Sequence, residues 1–171
     1  MVVPRRNIDL PQSIRKIADY QFGKGTGERL IPDPNKASFS FSKKTGRIRQ
    51  ILFEGETVAV LNPSYGLLNL TIEGARRLST INHVKLPWVK VQEAAAPFIE
   101  EGSDVFAKHV VEANEEIRPM EEVIVLNSHN EVIAVGRAVL SGDEMLEFRK
   151  GVAVKVRRGR AEKTKKEKET K

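Results

Sequence analysis

The sequence contains no cysteine among its 171 residues. This absence excludes disulfide bonds, thiol nucleophiles, iron–sulfur clusters and every zinc site that uses cysteine ligands. No apolar run reaches the roughly 18 residues that a membrane-spanning helix needs, and the first residues lack the apolar stretch of a signal peptide. With 40% hydrophobic residues, the composition is that of a folded protein. We therefore expect a cytoplasmic protein without a membrane partner.

Nucleotide-binding and metal-binding motifs are also missing. The segment Gly23–Gly27 reads Gly-Lys-Gly-Thr-Gly, which fits neither the Walker loop nor the dinucleotide fingerprint, so a turn or hinge is its expected role. His83, His109 and His129 lie far apart in the sequence and form no metal-ligand pattern. We expect no metal and no cofactor. The scattered acidic residues are explained by solubility and helix capping rather than by acid–base catalysis.

Positive charge is concentrated at the two ends of the chain. The net charge is +6, with +7 on residues 1–50, −8 on residues 87–149 and +7 on residues 150–171. Two separated basic segments favour a nucleic-acid partner, because each cation placed on a phosphate releases a condensed counterion. The acidic middle should then face away from the nucleic acid. The last residues, 159–171, have no apolar anchor and are expected to form a disordered, solubilising tail.

The first part of the chain predicts a small antiparallel sheet flanked by helices. The predicted elements are a helix over 11–20, a strand containing Phe39 and Phe41, strands over 48–53 and 57–61, and a short helix that opens at Thr71. A tight turn at Gly55 separates the two longer strands. We place a domain boundary near residue 86, so that the first domain spans 1–86.

The second part predicts a small closed barrel of about six short strands and two short helices. The expected strands are Trp88–Val91, Val105–Val111, Val123–Leu126, Val132–Leu140 and Gly151–Arg157, and a helix runs through Pro97 and Ile99 to stop at Gly102. The turn residues Asn127–Asn130 indicate that the two strands around them pair antiparallel. Ser141 and Glu144 have the spacing of a capping box, which opens the second helix.

The second part contains six short motifs that are specific when taken together. They are Ala96-Pro97-Phe98-Ile99, Val105-Phe106-Ala107-Lys108, Glu116-Ile117-Arg118-Pro119, Val135-Gly136-Arg137-Ala138, Ser141-Gly142-x-Glu144-Met145 and Lys150-Gly151-Val152-Ala153-Val154-Lys155-Val156-Arg157. They resemble the motifs of the PUA domain, an RNA-binding pseudo-barrel. The resemblance implies an α+β protein in which a PUA domain over 87–158 follows a small antiparallel-sheet α/β domain.

The resemblance extends upstream of the barrel. Ile17–Gly23, Ser42–Arg49 and Leu70–Ala75 resemble the domain that precedes PUA in archaeosine tRNA-guanine transglycosylase and archaeosine synthase. In that family a separate barrel domain, with an aspartate nucleophile and a cysteine-containing zinc site, carries out the base exchange. This chain has no cysteine and resembles the C-terminal region only. The resemblance therefore implies an archaeal tRNA-modification protein without its own catalytic domain.

The family resemblance also implies how the protein binds tRNA. It implies that the PUA domain grips the acceptor stem and the 3′-CCA end of tRNA. Our leading hypothesis is a non-catalytic tRNA-binding protein that acts as an accessory or separate C-terminal subunit for a catalytic transglycosylase chain. The alternative is a stand-alone PUA factor in ribosome biogenesis or translation. A third reading, an RNA-modifying enzyme, lacks a nucleophile with a neighbouring base. No DNA partner is expected.

Candidate RNA-binding residues in the second part are mainly cations. Lys108 is the expected phosphate contact, because its alternation with Phe106 places it at a strand edge or groove. Arg137 either contacts RNA beside Gly136 or pairs with a nearby acid. Lys150, Lys155 and Arg157 share the outward side of the last strand, whose valines face inward. Phe98 is more simply explained as a core residue than as a stacking platform.

A second group of candidates lies in the first part. Lys43, Lys44, Arg47 and Arg49 surround one hairpin turn with no acidic residue between them, and Arg47 and Arg49 are expected on one strand face. Cations gathered in this way require either a bound anion or a freely solvated turn.

Overall fold

The computed structural model describes residues 8–80 and 85–163, and these fall into two compact units that divide between Leu86 and Pro87. We call them unit 1 and unit 2. His83, the residues before 8 and the part of the predicted tail from 164 onward lie outside the described residues. None of the helices in the described ranges has the length and apolar character needed to cross a membrane.

Unit 1 begins with the amphipathic helix α1, Leu10–Phe22. The Asp9 side chain caps its N-terminus by accepting a hydrogen bond from the Gln12 amide at 3.1 Å. One face of the helix is fully buried, which confirms the helix predicted over 11–20. The buried residues are Ile14, Ala18 and Phe22. A glycine turn then leads into the short helix α2, Thr26–Leu30.

A four-stranded antiparallel sheet follows in unit 1, with the strands in chain order. The strands are β1 Ala37–Phe41, β2 Ile48–Phe53, β3 Glu56–Leu61 and β4 Leu68–Leu70. The strands expected over 48–53 and 57–61, and the tight turn between them, are therefore confirmed. Ile51 and Phe53 on β2 point to the same side and are buried.

Helix α3, Ile72–Ser79, lies directly on this sheet. The Thr71 hydroxyl accepts a hydrogen bond from the Gly74 amide at 3.1 Å, so the predicted helix start at Thr71 is confirmed. A Cβ atom on Gly74 would stand 1.9 Å from the carbonyl oxygen of Val58. Only glycine permits this close approach of the helix to β3.

Unit 2 is a nearly closed pseudo-barrel made from one six-stranded sheet, in the order β6-β10-β9-β8-β5-β7. Its strands are β5 Trp88–Val91, β6 Val105–Phe106, β7 Val110–Ala113, β8 Glu122–Leu126, β9 Val132–Ala138 and β10 Val152–Gly159. The β5–β8 pair is parallel and the other pairs are antiparallel. The predicted β8–β9 hairpin is confirmed. The α+β class and the pseudo-barrel are as expected from the sequence.

Two short helices accompany the barrel. Helix α4, Ala96–Glu100, matches the helix predicted before Gly102. Helix α5, Gly142–Glu147, starts with the predicted capping box. The Ser141 hydroxyl accepts from the Glu144 amide at 3.3 Å, and the Glu144 carboxylate accepts from the Ser141 amide at 2.8 Å.

Two sequence predictions need correction in unit 2. The single strand expected over 105–111 is wrong, because a 3₁₀ turn at Ala107–His109 separates β6 from β7. The tail expected from residue 159 does not begin there. Strand β10 includes Gly159, and the Ala161 amide donates a hydrogen bond to the Glu100 carbonyl at 2.9 Å. The folded part thus extends past the end of β10.

Candidate nucleic-acid interface

Two predicted cations of unit 2 meet where β6 joins the start of β10. The Ala107 amide donates to the Gly151 carbonyl at 2.9 Å, and Phe106 pairs with Val152 in the adjoining register. Lys108 follows β6 on the 3₁₀ turn and Lys150 lies just before β10, and both side chains are exposed. The fold therefore gathers two cations that are 42 positions apart in the sequence.

The surroundings of Lys108 differ from the expectation. Lys108 lies on the 3₁₀ turn rather than on a strand, so strand alternation does not place it. Phe106 is 44% exposed, whereas Val105 and Ala107 on either side of it are buried. Phe106 therefore presents an aromatic ring beside the two lysines. An unbroken strand over 105–111 would have placed Phe106 and Lys108 on one side, and the 3₁₀ turn removes that relation.

The outer face of the sheet carries the other predicted cations of unit 2. Lys155 lies opposite Arg137 in the β9–β10 register, and Arg137 lies opposite Glu122 in the β8–β9 register. Lys155 and Arg157 are exposed, while Val154 is fully buried and Val156 partly so. A register shift between residues 156 and 158 interrupts the strict alternation of β10.

Arg157 has a structural partner that the sequence analysis missed. Its two terminal guanidinium nitrogens, Nη1 and Nη2, donate to the two carboxylate oxygens of Glu122 at 2.7 and 2.9 Å. The Glu122 side chain is only 3% exposed, so this bidentate contact holds a buried carboxylate. In the sequence, Glu122 directly precedes the apolar run 123–126, and this position indicates a buried carboxylate that needs a cationic partner.

Phe98 is exposed, contrary to the expectation of a core position. Its side chain is 65% exposed on helix α4, whereas Ala96 and Ile99 of the same helix are buried. A five-residue helix makes little more than one turn, so its sequence pattern does not fix which face is inside.

The cations predicted in unit 1 cluster at the turn between β1 and β2. Lys43, Lys44, Arg47 and Arg49 are all exposed. Arg47 precedes β2 and donates a hydrogen bond to the Pro63 carbonyl at 3.2 Å, so it does not share a strand face with Arg49 as expected. Lys43, Lys44 and Arg49 line one shallow groove together with Phe41.

The chain end of unit 2 is held by a second group of ion pairs. Arg160 lies 2.8 Å from Glu100 and 3.2 Å from Glu131. The pKa of Glu131 is lowered from its ordinary value of 4.5, first because the Asn127 amide donates to its carboxylate and then because Arg160 lies beside it. In the described part of the chain, no three His, Asp or Glu side chains lie close enough to share a metal ion.

Comparison with known proteins assigns a family description to each unit. Residues 12–83 match the patch-forming domain C2 of tRNA-guanine transglycosylase, and residues 87–160 match the PUA domain. The tRNA-guanine(15) transglycosylase of Thermococcus onnurineus is 44% identical over 146 residues, which are 85% of this chain and 24% of that protein. The chain thus spans about a quarter of the length of the curated relatives it matches.

Solved structures show the same fold. A hypothetical protein from Pyrococcus horikoshii has a TM-score of 0.71 at 24% identity, over 96% of this chain and 98% of that chain. A conserved PUA domain protein from Thermoplasma acidophilum has a TM-score of 0.63 at 20% identity, over 88% of each chain. These similarities concern the architecture.

We predict that Arg157 contributes to stability as well as to surface charge. Arg157→Ala should lower the free energy of unfolding by about 3 kcal/mol, because it removes both guanidinium hydrogen bonds from a buried carboxylate. Lys155→Ala, which removes an exposed cation from the same strand, should change it by less than about 0.5 kcal/mol. Urea denaturation measures both. Adding Glu122→Gln to Arg157→Ala should recover part of the loss, and equal effects of the two alanine variants would contradict the prediction.

A pH dependence follows from Glu131. Because its pKa is lower in the folded than in the unfolded protein, its contribution is complete above its ordinary value of 4.5 and is lost as the pH falls through the folded value. The stability difference between the wild type and Glu131→Gln should therefore be constant near neutral pH and shrink in acid. Denaturation at a series of pH values measures this difference. A difference that stayed constant into strong acid would contradict the assignment.

Proposed function

The chain joins a patch-forming domain C2 of the tRNA-guanine transglycosylase type to a PUA domain, and from this premise we propose that it binds tRNA without catalysing a reaction itself. It is a region of the transglycosylase C-terminal type, and its 44% identity to a tRNA-guanine(15) transglycosylase supports a role in tRNA modification. In this proposal it acts in the cytoplasm as an accessory or separate subunit for archaeosine formation by a catalytic transglycosylase chain.

Unit 2 grips the acceptor stem and the 3′-CCA end in this proposal. The supporting observation is the junction at which Lys108 and Lys150 meet beside the exposed ring of Phe106. The major groove of A-form RNA is too deep and narrow for side chains, so the stem is held through phosphates and 2′-hydroxyls. Unpaired nucleotides at the 3′ end stack on aromatic or arginine side chains. The two lysines can therefore bind phosphates of the stem, and the aromatic ring beside them can stack on an unpaired base at its 3′ end.

Lys155 and Arg137 extend this basic surface along the sheet. They lie opposite each other on β10 and β9. Arg157 contributes less in this proposal, since its guanidinium is held by Glu122. Phe98 offers a second exposed ring on α4, with Glu100 and Glu101 close to it in sequence, so a phosphate backbone is less favoured there.

The central test is binding of an unmodified tRNA transcript with and without its 3′-CCA end, across a salt series. We expect removal of CCA to weaken binding. Lys108→Ser with Lys150→Ser should flatten the dependence of log affinity on log salt by about 1.4 to 1.8, the range for two single-strand or duplex phosphate contacts. Lys90→Ser is the matched control, because Lys90 is already 3.4 Å from Glu112. Equal, weak binding to both transcripts would contradict acceptor-end recognition and favour a ribosomal partner.

A second prediction tests the accessory role. Adding the protein to a catalytic transglycosylase chain should speed guanine exchange at low tRNA concentration, because it supplies part of the tRNA-binding energy. The Lys108→Ser and Lys150→Ser double variant should give a smaller gain. An unchanged exchange rate, with tRNA binding intact, would remove the accessory role and leave the stand-alone factor.

A further inference from the structure

Unit 1 has two tight turns of the same geometry. The first, Ser42–Arg47, is closed by a hydrogen bond from the Ser42 amide to the Arg47 carbonyl at 2.8 Å, and the second, Asn62–Leu67, by the equivalent bond at 2.8 Å. In each turn the fifth residue, Gly46 or Gly66, has φ of 69° and donates back to the first residue. Because the strands are antiparallel and in chain order, both turns lie at the same end of the sheet.

The two turns are also linked to each other. The Arg47 guanidinium of the first turn donates to the Pro63 carbonyl of the second at 3.2 Å. The turns and the residues beside them lie at this one end of the sheet, and we call the exposed cations and aromatic rings there the sheet-end surface. It consists of Phe41, Lys43, Lys44, Arg47, Arg49 and Tyr65.

The charge of the sheet-end surface has one sign. Residues 37–53 and 57–72 contain four cations and no carboxylate. Within residues 8–80 and 85–163, none of the four takes part in an ion pair. By contrast, Lys36, just before β1, is paired with Glu54 at 2.7 Å. A surface that gathers cations without acidic partners attracts an anionic ligand.

Aromatic rings are interleaved with these cations. The Phe41 side chain is 50% exposed and lines a groove with Lys43, Lys44 and Arg49. Tyr65, at the tip of the second turn, is also 50% exposed. Nucleobases stack on exposed aromatic rings, while the phosphates of the same strand bind cations. An acidic protein segment would be attracted by the cations but would leave the exposed face of Phe41 without a matching group.

We propose that the sheet-end surface binds unpaired nucleotides of an RNA, with a base stacked on Phe41 and the backbone phosphates held by Lys43, Lys44 and Arg49. The inference rests on the proposed function in taking RNA as the ligand, but it concerns unit 1 rather than unit 2. Flipped or looped nucleotides fit this surface, because a paired base has no free face to offer an aromatic ring.

The test uses the full chain and a labelled ten-nucleotide oligouridylate, followed by fluorescence anisotropy. Phe41→Ala should weaken binding about tenfold, the loss expected for one stacked base. Phe41→Trp, which keeps an aromatic face, should retain binding. Tyr20→Ala is the matched control, since Tyr20 is a 78% exposed aromatic residue on α1. Replacing Lys43, Lys44 and Arg49 by serine should flatten the salt dependence by about 2, the value for three single-strand phosphate contacts.

Two results would overturn the inference. If the Phe41→Ala variant binds oligouridylate as tightly as the wild type, no base stacks on Phe41. The second result is that the protein binds polyglutamate as tightly as oligouridylate and that the serine variant loses affinity for both equally. The sheet-end surface would then bind anions or acidic proteins in general. The Lys108→Ser and Lys150→Ser variant separates this inference from the proposed function. If that variant loses CCA-dependent tRNA binding and keeps a Phe41-dependent affinity for oligouridylate, both hold. If the Lys108→Ser and Lys150→Ser variant loses oligouridylate binding and the Phe41 and serine variants do not, only the proposed function stands.

Discussion

The pairing of β10 with both β9 and β6 is the constraint on which unit 2 depends. Strand β6 has only two residues, and its one neighbour in the sheet is β10. Strands β9 and β10 lie very close together at Gly136, because a Cβ atom there would lie 2.2 Å from the Lys155 carbonyl oxygen. The same strand also presents Lys155 and Arg157, and Lys150 stands just before it. The cationic surface therefore exists only when the most sequence-distant strand pairing has formed.

Charge in unit 2 is partly neutralised within the fold. The acidic stretch 87–149 and the basic stretch after it meet through Glu122 with Arg157, and through Glu100 and Glu131 with Arg160. Each of these arginines binds carboxylates, whereas Lys150 and Lys155 take part in none of the ion pairs of the described residues. The division agrees with the chemistry of the two side chains, because the planar guanidinium presents several fixed donors to carboxylate oxygens and the ammonium is more strongly hydrated.

Most elements could be predicted because their ends are marked locally. The capping box at Ser141, the cap at Thr71 and the turn at Gly55 each specify a boundary within four residues. The exposure of Phe98 and Phe106 could not be predicted in this way. One lies on a helix of little more than one turn and the other beside a 3₁₀ turn, so neither has a periodic neighbourhood that identifies the buried face. The partner of Arg157 was equally hidden, because Glu122 reaches it only across the paired strands.

The matched turns of unit 1 have an evolutionary consequence. Their shape is held by backbone hydrogen bonds and by a glycine at the fifth position, so the residues at the tips contribute little to the stability of the sheet. Mutations at these tips therefore have little effect on folding. Because the two turns share one backbone geometry, a tip sequence that is compatible with one turn is compatible with the other. The hairpin pair is thus a place where a lineage can change what the domain recognises while its core stays constant.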